Sequence, residues 1–285
     1  MFKSLPKAFD VTPTWRRVAI YSALSTLLAA LVDIIVYLMG GLTGVPVTLG
    51  WGAIRMYTPT ASALLVAGHR EVKGYLRLGR KVLVFYLTSP LIAYLAILLY
   101  LLIIAPIGLL TLEHLQVELP ITLVPEVLIV LMLLSAYFPA ITINTLFALG
   151  EEIGWRGFLQ IELEALGLSL AKAALLVGLV WGVWHAPAIL LLGYNYPDNP
   201  VLGALLFTAF TVTLSLPHAI IRHLSLSVIP AASLHGTVNA IWGLTVVATR
   251  LPRELGGLGP LGIAVWVIIS LILHLALRRQ RRATS

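Results

Sequence analysis

Long apolar runs separated by short polar segments dominate this chain. Eight of them approach the ~20 apolar residues that a helix needs to cross a hydrocarbon core. They are roughly Val18–Met39, Val47–Ala67, Val82–Leu110, Val127–Gln160, Ala173–Leu192, Val201–Ile221, Leu226–Val247 and Leu261–Leu277. The first run is too long for the core of a signal peptide, and no small-residue cleavage site follows it, so it is expected to be retained. The fourth, extended to Glu162, would reach ~54 Å as one helix, well beyond a core of ~30 Å. A kink at Pro139, a tilt or a protrusion is therefore expected there. No internal repeat, low-complexity tract or soluble insert interrupts the pattern. The chain reads as all-α: one polytopic bundle of about eight transmembrane helices, forming a single integral-membrane domain over residues 1–285.

Composition sharpens this. Hydrophobic residues make up 59% and charged residues 11%, with a mean hydropathy of +0.97. A soluble domain carries ~25% charged residues, so this chain could not cover a water-facing surface. That excludes a soluble globular protein, a disordered chain and a nucleic-acid binder, the pI of about 9.8 notwithstanding. There is no cysteine, hence no disulfide, thiolate metal site or cysteine nucleophile.

The basic excess follows topology. With the N-terminus in the cytoplasm, sixteen Lys and Arg fall on that side, against Arg250 and Arg253 opposite, with Arg55 inside the second run. The acidic Glu113, Glu118, Glu126 and Asp198 fall on the sparse side. Both termini are expected to be cytoplasmic, as an even number of spans requires. The RRQRR tail suits an anchor beside anionic lipids, and Trp15, Trp51 and Trp266 suit the aromatic belt.

Ionisable groups inside spans cost ~2.5–3.5 kcal/mol or more at the centre, so each is a functional candidate. They are Asp33, Arg55, Glu151 and Glu152 with Arg156, His185, His235 with Asn239, and His274. Arg55 is expected to pair with Asp33 across the first two spans, chiefly a structural role. His69, His218, His223 and His274 are read as interfacial.

Depth separates the candidates. With Glu162, Lys172 and Arg222 as markers of the cytoplasmic face and a rise of ~1.5 Å per residue, Glu151 lies roughly 17 Å in, and His185 and His235 roughly 20 Å. Three residues on three helices thus converge on one level. Local spacing agrees: Glu152 with Arg156, Trp181 with His185 and His235 with Asn239 are all i, i+4 pairs that share a helix face. A carboxylate and two imidazoles in a dry pocket can perform general-base chemistry, and Asn239 can donate to a developing oxyanion. The same Glu151, His185 and His235 could instead hold a divalent metal such as zinc, for which two histidines, a glutamate and water form a known catalytic set. No HExxH accompanies them, and a metal-free mechanism stands equally open.

The run EEIGWRGFLQ (151–160) resembles the EExxxR motif of the CAAX prenyl protease and bacteriocin-processing family of membrane-embedded endopeptidases. WGVWHAPAIL (181–190) resembles its second motif, an aromatic residue four positions before a histidine, with Trp181 where Phe is frequent. RHLSLSVIPAASLHGTVNA (222–240) resembles the block ending in HxxxN, and RMYTPTASALL (55–65) resembles an upstream segment. The three motif blocks stand in the family's order within residues 151–240, the core of the resemblance.

The resemblance implies peptide-bond hydrolysis in which Glu151 and His185 activate water, His235 and Asn239 stabilise the oxyanion, and Glu152 and Arg156 position Glu151. It also implies a membrane-associated peptide or protein substrate, prenylated in some members. The residues alone leave two other readings open: a transporter or proton-coupled carrier using the same Glu/His cluster as a relay, and a non-catalytic adaptor of the same fold.

Overall fold

The computed structural model describes residues 12–111 and 125–283; Lys3, Lys7, Glu113 and Glu118 lie outside them. The described chain is helical, and its extended pairing is confined to an isolated antiparallel bridge between Leu110 and Thr249.

Helix α1 (Trp15–Leu38) sets the logic of the bundle. Thr14 caps its N-terminus, its Oγ1 accepting from the Arg17 amide at 3.2 Å. The buried positions are Tyr21, Ser25, Ala29 and Asp33, four residues apart, while Leu27, Leu31, Ile34 and Ile35 face outward. Small and polar residues inside with branched aliphatics outside is the pattern expected where lipid tails, not water, cover the surface.

The second expected run is two helices, α2 (Val45–Met56) and α3 (Thr58–Ala67), broken at Tyr57. Pro59 starts α3 because its ring fixes φ and its missing N–H suits a first turn. The short α4 (His69–Tyr75) follows, then α5 (Arg80–Thr88) and α6 (Pro90–Ile104) form one span. Next come α7 (Pro125–Pro139), α8 (Thr145–Glu152) and α9 (Gln160–Ala165), joined by π-helical segments Ala140–Asn144 and Ile153–Leu159. The long fourth run is therefore continuously helical, and it absorbs Pro139 where the first π segment begins.

Helices α10 (Leu170–Leu192) and α11 (Pro200–Ser225) form a packed hairpin. Helix α12 (Ile229–Ile241), the single turn α13 (Leu244–Val247) and α14 (Pro260–Ala283) complete the chain. Among the described residues, six helical stretches are long and apolar enough to cross a membrane. The other two expected spans are the broken α2/α3 pair and α12, whose 13 residues reach only ~20 Å. The polytopic all-α bundle is present, with six long spans and these shorter helices among the described residues.

Two of the tryptophans assigned to the aromatic belt are interior instead. Trp51 donates to Asp33, and Trp266 packs on Trp242 with ring centroids 5.4 Å apart. Each ring finds aromatic or ionic partners inside the bundle, which an interfacial position would not supply.

The α10/α11 contact is close because Gly178 and Gly182 lie one turn apart on α10. A Cβ at Gly178 would stand 2.5 Å from Val212 Cα, and one at Gly182 would stand 2.5 Å from Thr208 Cα. Thr211 Oγ1 also donates to the Gly178 carbonyl at 2.9 Å. This is the small-residue packing by which membrane helices approach. Gly182→Ala should thus destabilise the protein by ~1–3 kcal/mol through overpacking, despite the ~1 kcal/mol of helix propensity that alanine adds. Thermal unfolding in detergent would measure this, and an unchanged or raised midpoint would show that the helices can separate at no cost.

Candidate active site

Glu151 and Glu152 end α8, where the second π segment begins. A π turn shifts the helical register by one residue, and such insertions recur at functional sites. The adjacent glutamates point to different sides of the helix and meet different partners. Glu151 Oε2 accepts from two indoles, Trp181 Nε1 at 2.6 Å and Trp155 Nε1 at 3.2 Å. Its other oxygen has no partner among the described residues, and Glu151 lines a cavity. Glu152 turns into the protein. Its Oε1 accepts from Arg156 Nη1 and from His235 Nδ1, each at 2.8 Å. Arg156 also donates to Ser215 Oγ at 3.2 Å, and its guanidinium lies 4.7 Å from the Trp181 ring centroid. The i, i+4 pairing of Glu152 with Arg156 expected from the sequence is present, fully buried.

Hydrogen bonding fixes the histidine tautomers. His185 Nδ1 lies 2.9 Å from the Trp181 carbonyl, and a carbonyl only accepts, so the proton sits on Nδ1 and Nε2 keeps its lone pair. His218 is anchored in the same way by the Leu214 carbonyl at 2.7 Å. Through Nδ1–H, His235 is anchored by Glu152. Each imidazole is thus held by one nitrogen and offers the other.

The cavity has a volume of about 510 Å3, the size of a small-ligand or short-peptide site. Glu151, His185, His235 and Asn239 all line it. Glu152 and Arg156 do not; they stand behind His235. Trp181 unites the wall, donating to Glu151, receiving His185, and packing edge-on against His235 at 5.0 Å between centroids. Arg55 also lines the cavity, its Nε on both Asp33 oxygens at 2.9 and 3.1 Å, so the expected pair is present. Tyr194 sits nearby, where burial pushes its phenol pKa up against the pull of the Arg55 cation.

His218 is the residue that the sequence reading misplaced. It was expected at the interface beside Arg222 but is 0% exposed, lines the cavity and packs against His235. Arg222 is itself buried, so a charge beside His218 in the chain did not mark a solvent-facing stretch of α11. A usable signal existed: Phe207, Thr211, Leu214 and His218 recur at spacings of four, three and four on α11, and all line the cavity.

The metal reading changes with it. Among the described residues, Glu152, His218 and His235 bring ligand atoms within 4.8 Å of one another and could hold a metal ion. This is not the expected set of Glu151, His185 and His235, because the Trp181 indole intervenes between Glu151 and His235 and ties up a Glu151 oxygen. Glu152 Oε2 and His218 Nε2 are buried without partners, which suits a ligand. Arg156, bonded to the same carboxylate, opposes a dication there. On balance the donor set fits a resident metal poorly.

Residues 125–241 match the family model described as "Type II CAAX prenyl endopeptidase Rce1-like". The chain is similar to that family over this segment, which is less than half of its length. A stretch of 53 residues is also 40% identical to the "CAAX prenyl protease 2" of Methanococcus maripaludis, spanning 19% of this chain and 19% of that protein. The Rce1-like segment holds all six residues singled out by the motifs, together with His218; Arg55 and Asp33 lie outside it. With six long apolar helices, the protein is an integral, multi-pass membrane protein.

Glu152 gives the sharpest structural test. Glu152→Ala leaves a buried guanidinium unpaired and should cost ~3–5 kcal/mol, whereas Glu152→Ala with Arg156→Met should recover most of that loss. Unfolding of the three variants in detergent gives the coupling. A double variant no better than the single would mean that Arg156 is not held by Glu152.

Proposed function

We propose that this protein is an intramembrane endopeptidase of the CAAX prenyl protease type. The observation that carries the reading is the convergence of Glu151, His185, His235 and Asn239, from three helical stretches, on one cavity, joined to the Rce1-like match over the same segment.

A water held between the unpartnered Glu151 oxygen and His185 Nε2 loses its proton to that pair as it attacks a peptide carbonyl. The two indole N–H groups on the other Glu151 oxygen hold the carboxylate in place, so little reorganisation accompanies attack. The oxyanion that forms is met by the Asn239 amide and by His235 Nε2. For His235 to donate there, Nε2 must also carry a proton, and Glu152 is then the counter-ion on Nδ1. Arg156 keeps Glu152 ionised and oriented. The proton taken from water passes to the leaving amine, and the C–N bond breaks. The substrate is a membrane-associated peptide or protein, with prenylated chains in the class. Both termini are cytoplasmic, and the cavity serves that side of the bilayer.

Glu151→Gln should lower cleavage of a quenched peptide by ~10²–10⁴-fold, and Asn239→Ala by ~10²–10³-fold, both with unchanged thermal unfolding. Full turnover by Glu151→Gln would end the role assigned to that residue. A strong chelator should leave the wild-type rate unchanged; loss of the rate, restored by zinc, would move the chemistry to the Glu152–His218–His235 trio. For the topology, a C-terminal alkaline phosphatase fusion should be inactive, since that reporter works only outside the cytoplasm, and activity would reverse the orientation.

A further inference from the structure

Arg222 stands apart from the other arginines inside this bundle. Arg55 bonds Asp33 at 2.9 Å and Arg156 bonds Glu152 at 2.8 Å. Arg17, at the start of α1, reaches Glu162 at 2.8 Å and Glu71 at 3.1 Å. Arg222, in the last turn of α11, is only 6% exposed. Yet its guanidinium makes no hydrogen bond and touches no carboxylate among the described residues. Glu164, Tyr75 and Arg77 stand near enough to act on its charge, but a Glu164 oxygen is already taken by Gln160 Nε2 at 2.5 Å. None of the Arg222 side-chain nitrogens is among the fully enclosed orphan atoms. The stem is therefore buried and the fork comes out at the surface. The negative end of the α11 dipole accounts for one cation there. It does not account for the guanidinium of Arg77 beside it, a repulsive neighbour unless something answers both charges.

We infer that Arg222 and Arg77 form a binding site for the phosphate of an anionic phospholipid. The backbone builds the site. Ser227 Oγ donates to the Arg77 carbonyl at 2.9 Å, and the Val228 amide donates to the Tyr75 carbonyl at 3.2 Å. The segment joining α4 to α5 is thereby pinned to the turn between α11 and α12, which brings Arg77 beside Arg222. Guanidinium forks match phosphate oxygens, and charge-assisted bonds of this kind are the stronger ones. Two cations facing one phosphate leave no place for a cationic headgroup, so the lipid is anionic overall. The rim favours a lipid over a free phosphate. Leu78, next to Arg77, is 84% exposed, and Leu226, one turn beyond Arg222, is 45% exposed. Apolar side chains beside a phosphate suit acyl tails, not water. Position agrees, because α11 is long and apolar enough to cross a membrane, and its last turn then falls at headgroup level. The packed stem of Arg222 leaves it little freedom to lose on binding, while the exposed Arg77 can close on the phosphate. A phosphate held by both would tie the α4–α5 segment to the turn that leads into α12, the helix of His235 and Asn239.

The experiment uses the purified full chain in a neutral detergent, titrated with short-chain phosphatidylglycerol, phosphatidylcholine of equal chain length, and inorganic phosphate. Binding is read from the rise in unfolding temperature with ligand concentration. Phosphatidylglycerol should bind at least ~10-fold more tightly than phosphatidylcholine, as expected for charge-assisted bonds. Arg222→Gln and Arg77→Gln should each bring that preference close to one. Arg77 is exposed, so its variant decides the matter alone if Arg222→Gln does not fold. Arg279→Gln, in the basic tail, should leave the preference intact, which separates a built site from the general attraction of cations for anionic lipid. Equal binding of the two lipids, no binding of either, a preference kept in Arg77→Gln, or one lost in Arg279→Gln overturns the proposal. Inorganic phosphate binding as tightly as phosphatidylglycerol overturns the lipid as the source of the phosphate. The readout needs no cleavage, so the result stands apart from the endopeptidase reading.

Discussion

A carboxylate enclosed in a membrane protein must be met by opposite charge and by hydrogen bonds on its oxygens, or its desolvation outweighs anything its contacts return. Glu152 is where this bundle meets that constraint. Arg156 and His235 both bond to one of its oxygens, Ser215 of α11 supports Arg156, and the Trp181 ring lies against the guanidinium. The second π segment, α10, α11 and α12 are tied together by this single carboxylate. Remove it, and a guanidinium is stranded while an imidazole that faces the cavity loses the anchor that aims it.

The same economy of fixed and free nitrogens runs through the site. His185 and His218 each spend Nδ1 on a carbonyl one turn back in their own helix, and His235 spends it on Glu152. Rings held at one nitrogen cannot spin, so the other nitrogen is presented at a set angle, which is what general-base and oxyanion chemistry need. Glu151 is treated likewise, with one oxygen taken by two indoles and the other left toward the cavity. Trp181, four residues before His185, serves both groups through its side chain and its carbonyl.

Across the cavity, Asp33 and Arg55 form a second neutral pair. It belongs to α1 and to the last turn of α2, which ends where Pro59 forces a new start. The cavity lies between two buried ion pairs, one behind His235 and one beside Trp184. Each pair answers its own charge, so neither adds a net charge inside the bilayer.

Much of this was legible in the sequence. Apolar run length marked eight spans because a hydrocarbon core sets a minimum for each, six of which are long helices among the described residues, and i, i+4 spacing marked the Glu152–Arg156 pair because helical geometry makes such residues neighbours. Glu151, His185, His235 and Asn239 were found because charge and polarity are conspicuous where lipid should exclude them. Tertiary packing decided the rest. His218 was read as interfacial because charges stand beside it in the chain, and one chain's charges cannot say which of them is itself covered; only the packing of other helices over α11 buries both His218 and Arg222. That His235 bonds the same Glu152 oxygen as Arg156, and that two indoles take one oxygen of Glu151, depends on helices brought together by packing, which spacing does not reveal. Trp51 was assigned to the interface and lies on Asp33, because an indole's amphipathic character suits either place. The sequence by itself determined how much of the chain must be helical and which residues could do chemistry. The tertiary structure decided which atoms of those residues are taken by partners and which are left free, because that depends on neighbours distant in the chain.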